Sequence, residues 1–158
     1  MSEIVKRSDR RHYMNTGSPS VPVWSLIGEG FTEFAESKNA ISCQRRYIHE
    51  VSRCTDVTGY APVIDYEFEV YTDNPVIGRI RTITDREYTG GDAKVQIVTV
   101  DLFDETETSG VYHAMCRTYS VIPDQCGEGT DTLCYTGSMK AVGDLTYGTF
   151  VLSTGVFA

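Results

Sequence analysis

Asp65, Glu67 and Glu69 stand two residues apart, and three carboxylates at that spacing along a strand share one face. Such a trio could bind a hard cation or divide acid and base work between its members. A calcium loop, however, wraps its oxygen ligands around a central glycine turn. A glycosidase pair brackets its substrate across a cleft. The spacing therefore reads as an acidic strand face. His12, His49 and His113 have no nucleophile, carboxylate or second imidazole at local spacing, as catalysis or metal binding would need. Ser8, Ser18 and Ser25 lie outside any nucleophile-elbow pattern. Gly28-Glu29-Gly30 and Gly127-Glu128-Gly129 are not followed by Lys-Ser/Thr, so neither is a phosphate loop. The five cysteines (Cys43, Cys54, Cys116, Cys126, Cys134) form no C-x-x-C pair and match no zinc spacing. They read as reduced thiols, although Cys126 and Cys134 bracket a loop and could pair if oxidised. The expectation is a chain with no catalytic residue, metal or cofactor, and so not an enzyme.

Composition narrows the classes further. At 41% hydrophobic and 23% charged residues, the chain of 158 has the make-up of one ordinary globular domain spanning 1–158. Ten tyrosines and frequent Val and Thr suit pleated sheets. No apolar run approaches the ~20 residues that span a bilayer, so no membrane partner is expected. Net charge is −8 and uneven, with 11 basic and 12 acidic residues in 1–86 but 3 and 10 in 87–158. Phosphate binding needs Lys/Arg clusters, which argues against specific nucleic-acid binding. The one basic cluster (Lys6, Arg7, Arg10 and Arg11) lies in residues 1–18, read as an extended N-terminal arm, either mobile or ordered by assembly.

Positioning these residues falls to a mainly β chain. In residues 61–71, Ile64, Tyr66, Phe68 and Val70 alternate with the three carboxylates, predicting a half-buried strand. Asp73 and Asn74 as candidate N-caps, Pro75 in the first turn and the stripe Val76, Ile77, Ile80 and Ile83 predict one helix over about 74–87. Further strands are expected at 21–27, 41–51, 92–103 and 111–122, the last stopped by Pro123. Segments 28–40 and 52–59 read as loops, and a closing hairpin turns at Gly143-Asp144. The fold class is an antiparallel β-sandwich or barrel with one flanking α-helix.

Several stretches, in order, resemble the tail tube (major tail) proteins of phages and prophages of Gram-positive bacteria. They are residues 5–8 (VKRS), 28–31 (GEGF), 55–62 (TDVTGYAP), 71–76 (YTDNPV), 91–93, 98–101, 117–123 (RTYSVIP), 127–131, 135–137 and 140–143. None is specific alone, and the ordered set spans nearly the whole chain. The resemblance implies a structural virion protein, assembled in the bacterial cytoplasm. Its homohexameric rings would stack into a hollow tail tube through which DNA passes without specific binding. Its other implied partners are tape measure, tail terminator and baseplate or tip proteins. On that reading Asp65, Glu67 and Glu69 are candidates to face the lumen, the alternative being an acidic outer surface kept for solubility. Lys6, Arg7, Arg10, Arg11, Arg53, Thr55, Asp56 and Val57 are candidates for ring stacking. Competing readings are a monomeric small-ligand-binding β-barrel and a tube protein of a contractile injection machine or phage-tail-like bacteriocin.

Overall fold

The computed structural model describes residues 2–128 and 130–158; Gly129, within the acidic Gly-rich segment 124–131, lies outside them. The chain runs β1 (Arg10–Asn15), β2 (Trp24–Ile27), β3 (Phe31–Ser37), β4 (Ala40–Arg45), β5 (Cys54–Tyr60), β6 (Val63–Glu69), α1 (Pro75–Asp85), β7 (Lys94–Glu105), β8 (Val111–Glu128), β9 (Cys134–Val151) and β10 (Val156–Phe157). All pairings are antiparallel. The main sheet has the order β2-β1-β7-β8-β9-β6-β3, with β10 added to β9, while β4 and β5 form a separate two-stranded sheet.

The main sheet curls until its two ends approach one another. The His12 ring of β1 lies 4.7 Å from the Phe34 ring of β3, and Arg7 donates to the Phe34 carbonyl at 3.2 Å. Helix α1 fills the concave side. Asn74 Oδ1 accepts from the N–H groups of Val76 and Ile77 at 3.1 and 3.3 Å, meeting two donors that a helix start leaves free. The stripe Val76, Ile77, Ile80 and Ile83 is at most 1% exposed and packs with Met14, Ile64, Tyr66, Phe68, Ile97, Tyr119 and Met139 from five strands. A smaller cluster on the convex face joins Tyr13, Val98, Val100, Ala114 and Phe150, with Trp24 and Phe157 packed against it.

The predicted helix and the strand carrying the three carboxylates are both present. Other expectations change: the strand expected over 41–51 ends at Arg45, and the expected loop 52–59 holds β5. Residues 10–15 are not an arm but a strand inside the sheet, because Met14 faces the helix core while Tyr13 packs on the convex side. Deleting residues 2–12 would therefore remove half of β1 and not merely an assembly contact. Segment 28–40 is no loop: it holds β3, whose register shifts between Phe31 and Glu33. That bulge puts Phe31 and Phe34, three apart, against the same core and hides the strand's alternation. Pro123 does not stop β8, which continues to Glu128 through a register shift that starts there. Finally, Gly143-Asp144 makes no hairpin. β9 runs unbroken for 18 residues, and residues 143–145 bulge opposite Arg117, with Gly143 at φ +79° where other residues are strained.

All five cysteines are free. Cys126 stands opposite Tyr135 and Cys134 opposite Glu128, so the two are not cross-strand partners.

Truncating a stripe residue should cost heavily. Ile80→Ala should lower the urea unfolding free energy by about 3 kcal/mol, since a fully buried isoleucine leaves a cavity that the sheet cannot close.

Candidate functional site: an exposed hairpin, an acidic face and a basic groove

The β4–β5 hairpin leaves the body of the protein at a narrow stem, where the Ala61 N–H donates to the Asn39 carbonyl at 3.3 Å. Its strands pair from Ala40 opposite Tyr60 to Arg45 opposite Cys54, and Arg45 bridges Asp56 at 2.7 Å. The hairpin has almost no buried surface of its own: every residue of β4, and all of β5 except half-buried Gly59, is exposed. The turn is more apolar than its exposure warrants, with Ile48 at 106% and Val51 at 93% of full exposure and Tyr47 more than half exposed. An isolated two-stranded hairpin is at best marginally stable in water, and exposed apolar tips mark contact surfaces. Thr55, Asp56 and Val57 were expected in a loop but lie in β5, and Arg53 immediately precedes it. All four thus belong to the hairpin. Lys6, Arg7, Arg10 and Arg11 do not join them. Arg10 is spent on Asp101, at 2.6 and 3.0 Å, within the sheet.

Asp65, Glu67 and Glu69 share the outer face of β6, opposite to Ile64, Tyr66 and Phe68 in the core. The structure adds a fourth carboxylate that sequence reading missed: Glu33 of β3 stands directly opposite Glu67. The β3 bulge concealed it, and the only local signal is the pair of phenylalanines around it. None of the four carboxylates has an ion-pair partner among the described residues. Like charges directly across a strand pair repel, so this face is kept acidic at a small cost in stability.

A groove of about 670 Å³ lies between β1, the end of β2 and β3. Leu26, Ile27, Phe31 and Phe34 line it alongside Arg7, Arg10 and Arg11, with Glu33 at its rim. His12 stands at its base. Arg7 can only donate, so His12 Nε2 accepts from it at 3.2 Å, and Nδ1 carries the proton given to Thr99 Oγ1 at 3.1 Å. Burial, then the neighbouring Arg7 and Arg10 charges, lower the imidazole from its ordinary 6.5 to about 4, against the weaker pull of Glu36 and Asp101. It is neutral at physiological pH. Behind it, burial pushes the Glu36 carboxyl up, but bonds from Lys38 and from Tyr119 (2.6 Å) bring it below the usual range. This arrangement is a brace across the two ends of the sheet. His49 and His113 are brought to no second imidazole or nucleophile: His49 meets Glu50 at 3.7 Å in the hairpin turn, and His113 sits in β8. Among the described residues, no group of three or more His, Cys, Asp or Glu side chains could hold a metal ion. No helix among them is long and apolar enough to cross a membrane.

Two measurements test these electrostatics. Because the folded pKa of His12 lies below the unfolded one, its stabilising contribution is complete above about pH 6.5 and is lost as pH falls towards 4. His12→Gln keeps the acceptor and donor, so it should flatten the acid limb of a stability–pH curve in that window, by on the order of 3 kcal/mol. Removing the repulsion opposite Glu33 should help instead: Glu67→Gln should raise the unfolding free energy by ~0.5 kcal/mol at low salt and by less at high salt.

No family model and no curated protein matches the chain. Among solved structures, a chain of the cryo-EM structure of the anti-feeding prophage baseplate is similar to it, with a TM-score of 0.54 and 15% sequence identity. The match covers 93% of this chain and 97% of that one, so the two share a fold over nearly their whole lengths.

Proposed function

We propose that the chain is a structural, non-enzymatic subunit of phage-tail-like machinery that assembles with copies of itself through the β4–β5 hairpin. The observation carrying this reading is the hairpin: Ile48 and Val51 are all but fully exposed on an element with almost no packing of its own. A monomer gains nothing from such an element, whereas an assembly buries it. The shared fold with a baseplate chain of the anti-feeding prophage supports the same class of role.

The finer reading is a ring subunit, hexameric by resemblance to tail tube proteins, whose rings stack into a tube. The hairpin would reach the next ring, and the face of Glu33, Asp65, Glu67 and Glu69 would line the conduit. An acidic wall suits passing DNA, because phosphates find no cations to hold them. A tube or ring component of a contractile injection machine is the second reading, favoured by the same fold likeness. The concave side is filled by the helix stripe, Phe68 and Met139, which weighs against a ligand-binding barrel.

Excising the hairpin tests the proposal cleanly, because the stem residues Asn39 and Ala61 are already hydrogen-bonded to each other. Replacing residues 41–59 with a short Gly-Ser turn should leave the circular-dichroism spectrum and melting of the body intact. Rings or tubes formed by the concentrated wild-type protein, seen by negative-stain microscopy, should disappear. Assemblies that persist without the hairpin would refute its role.

A further inference from the structure

We propose that the groove between β1 and β3 receives the acidic segment 103–107, the end of β7 and the start of the β7–β8 turn, of a second copy of the chain in a head-to-tail contact. This rests on the self-assembly reading above and names a contact separate from the hairpin.

The groove is a cationic site in a chain of net charge −8. Arg7, Arg10 and Arg11 face one carboxylate, Glu33, and His12 at the base is uncharged. Arg10 is neutralised by Asp101, but Arg7 spends its donors on the Arg10 and Phe34 carbonyls and on His12, so its charge is not balanced. The Arg11 side chain has no hydrogen-bond or ion-pair partner among the described residues, although it is half-buried. Beneath these charges lies an apolar, aromatic floor. The site therefore asks for a segment with both an aromatic ring and carboxylates.

The end of β7 and the start of the β7–β8 turn have that composition: Phe103-Asp104-Glu105-Thr106-Glu107. Phe103 is 53% exposed, and Asp104, Glu105 and Glu107 are all exposed. Glu105 accepts from the Gly110 N–H at 2.8 Å and so shapes the turn, while Asp104 and Glu107 have no ion-pair partner among the described residues. Carboxylates suit the planar guanidinium forks of Arg7 and Arg11, and the ring suits the Phe31–Phe34 floor. The hairpin is a poor occupant by comparison, since Arg45, Arg46 and Arg53 carry the groove's own sign. Within its own subunit, segment 103–107 makes no ion pair to Arg7 or Arg11 among the described residues. A contact between two different patches of identical subunits closes into rings or propagates as filaments.

A charge swap in the full-length chain tests this by sedimentation velocity, with thermal melting to confirm folding. Arg11→Glu alone, and Asp104→Arg with Glu107→Arg alone, should each weaken self-association by about tenfold or more at low salt. Mixed in equal amounts, the two proteins should recover most of it, because every contact in an alternating assembly is again complementary. If Arg11→Glu fails to fold, Arg11→Gln serves, with a weaker association and a shallower salt dependence than wild type as the expected result. Variants that associate like wild type, or a mixture no better than its components, overturn the proposal. Unchanged association in these variants, alongside loss on hairpin excision, overturns the groove contact alone. A wild-type chain that stays monomeric at all concentrations overturns both readings.

Discussion

Four side chains of one short helix, Val76, Ile77, Ile80 and Ile83, hold the curled sheet in shape, and most of the structure depends on that contact. The terminal strands of the main sheet, β2 and β3, do not pair with each other. Twist alone curls such a sheet but does not close it. The helix supplies the apolar volume that the concave faces of β1, β6, β7, β8 and β9 need, so a single stripe satisfies five strands. The polar brace of Arg7, His12, Thr99 and the Phe34 carbonyl then joins the two ends where no ladder exists. Its neutral imidazole works only because Arg7 and burial keep the proton off Nε2.

With the core complete in this way, the hairpin is free of any duty to the fold. β4 and β5 are exposed almost throughout, and their removal would leave the stem closed by the Asn39–Ala61 bond. An element that presents Ile48 and Val51 to water with almost no packing of its own is the observation on which the proposed assembly role rests. Charge follows the same division. The acidic outer face of β3 and β6 and the basic groove beside β1 lie on the two sides of β3, with Glu33 bordering both. Opposite signs so close together are what the proposed contact between copies would use.

Much of this was legible in the residues. The helix needed only local chemistry: an Asn-Pro start and a four-residue stripe at helical spacing. β6 was legible because its alternation is unbroken, and the acidic face came with it. Three of the failures share one physical reason, the bulge. One extra residue at Phe31–Glu33 and after Pro123 resets the two-residue period on which strand reading relies, and two extra residues at 143–145 interrupt the ladder of β9, so β3 read as a loop and β9 as two strands. β1 was missed differently, since its polar sequence RRHYMN takes its burial from neighbours far away in the chain.

The sequence by itself determined the composition of the protein: a mainly β chain with one capped amphipathic helix, an acidic strand face and no local constellation for catalysis. Each of these rests on neighbours within about a turn or a strand, where spacing dictates which side chains meet. Only the tertiary structure decided that residues 40–60 stand away from the body as a hairpin, that Glu33 faces Glu67, and that Arg7, Arg11 and Phe34 share a groove. Those are pairings across long separations, set by strand register and sheet curl.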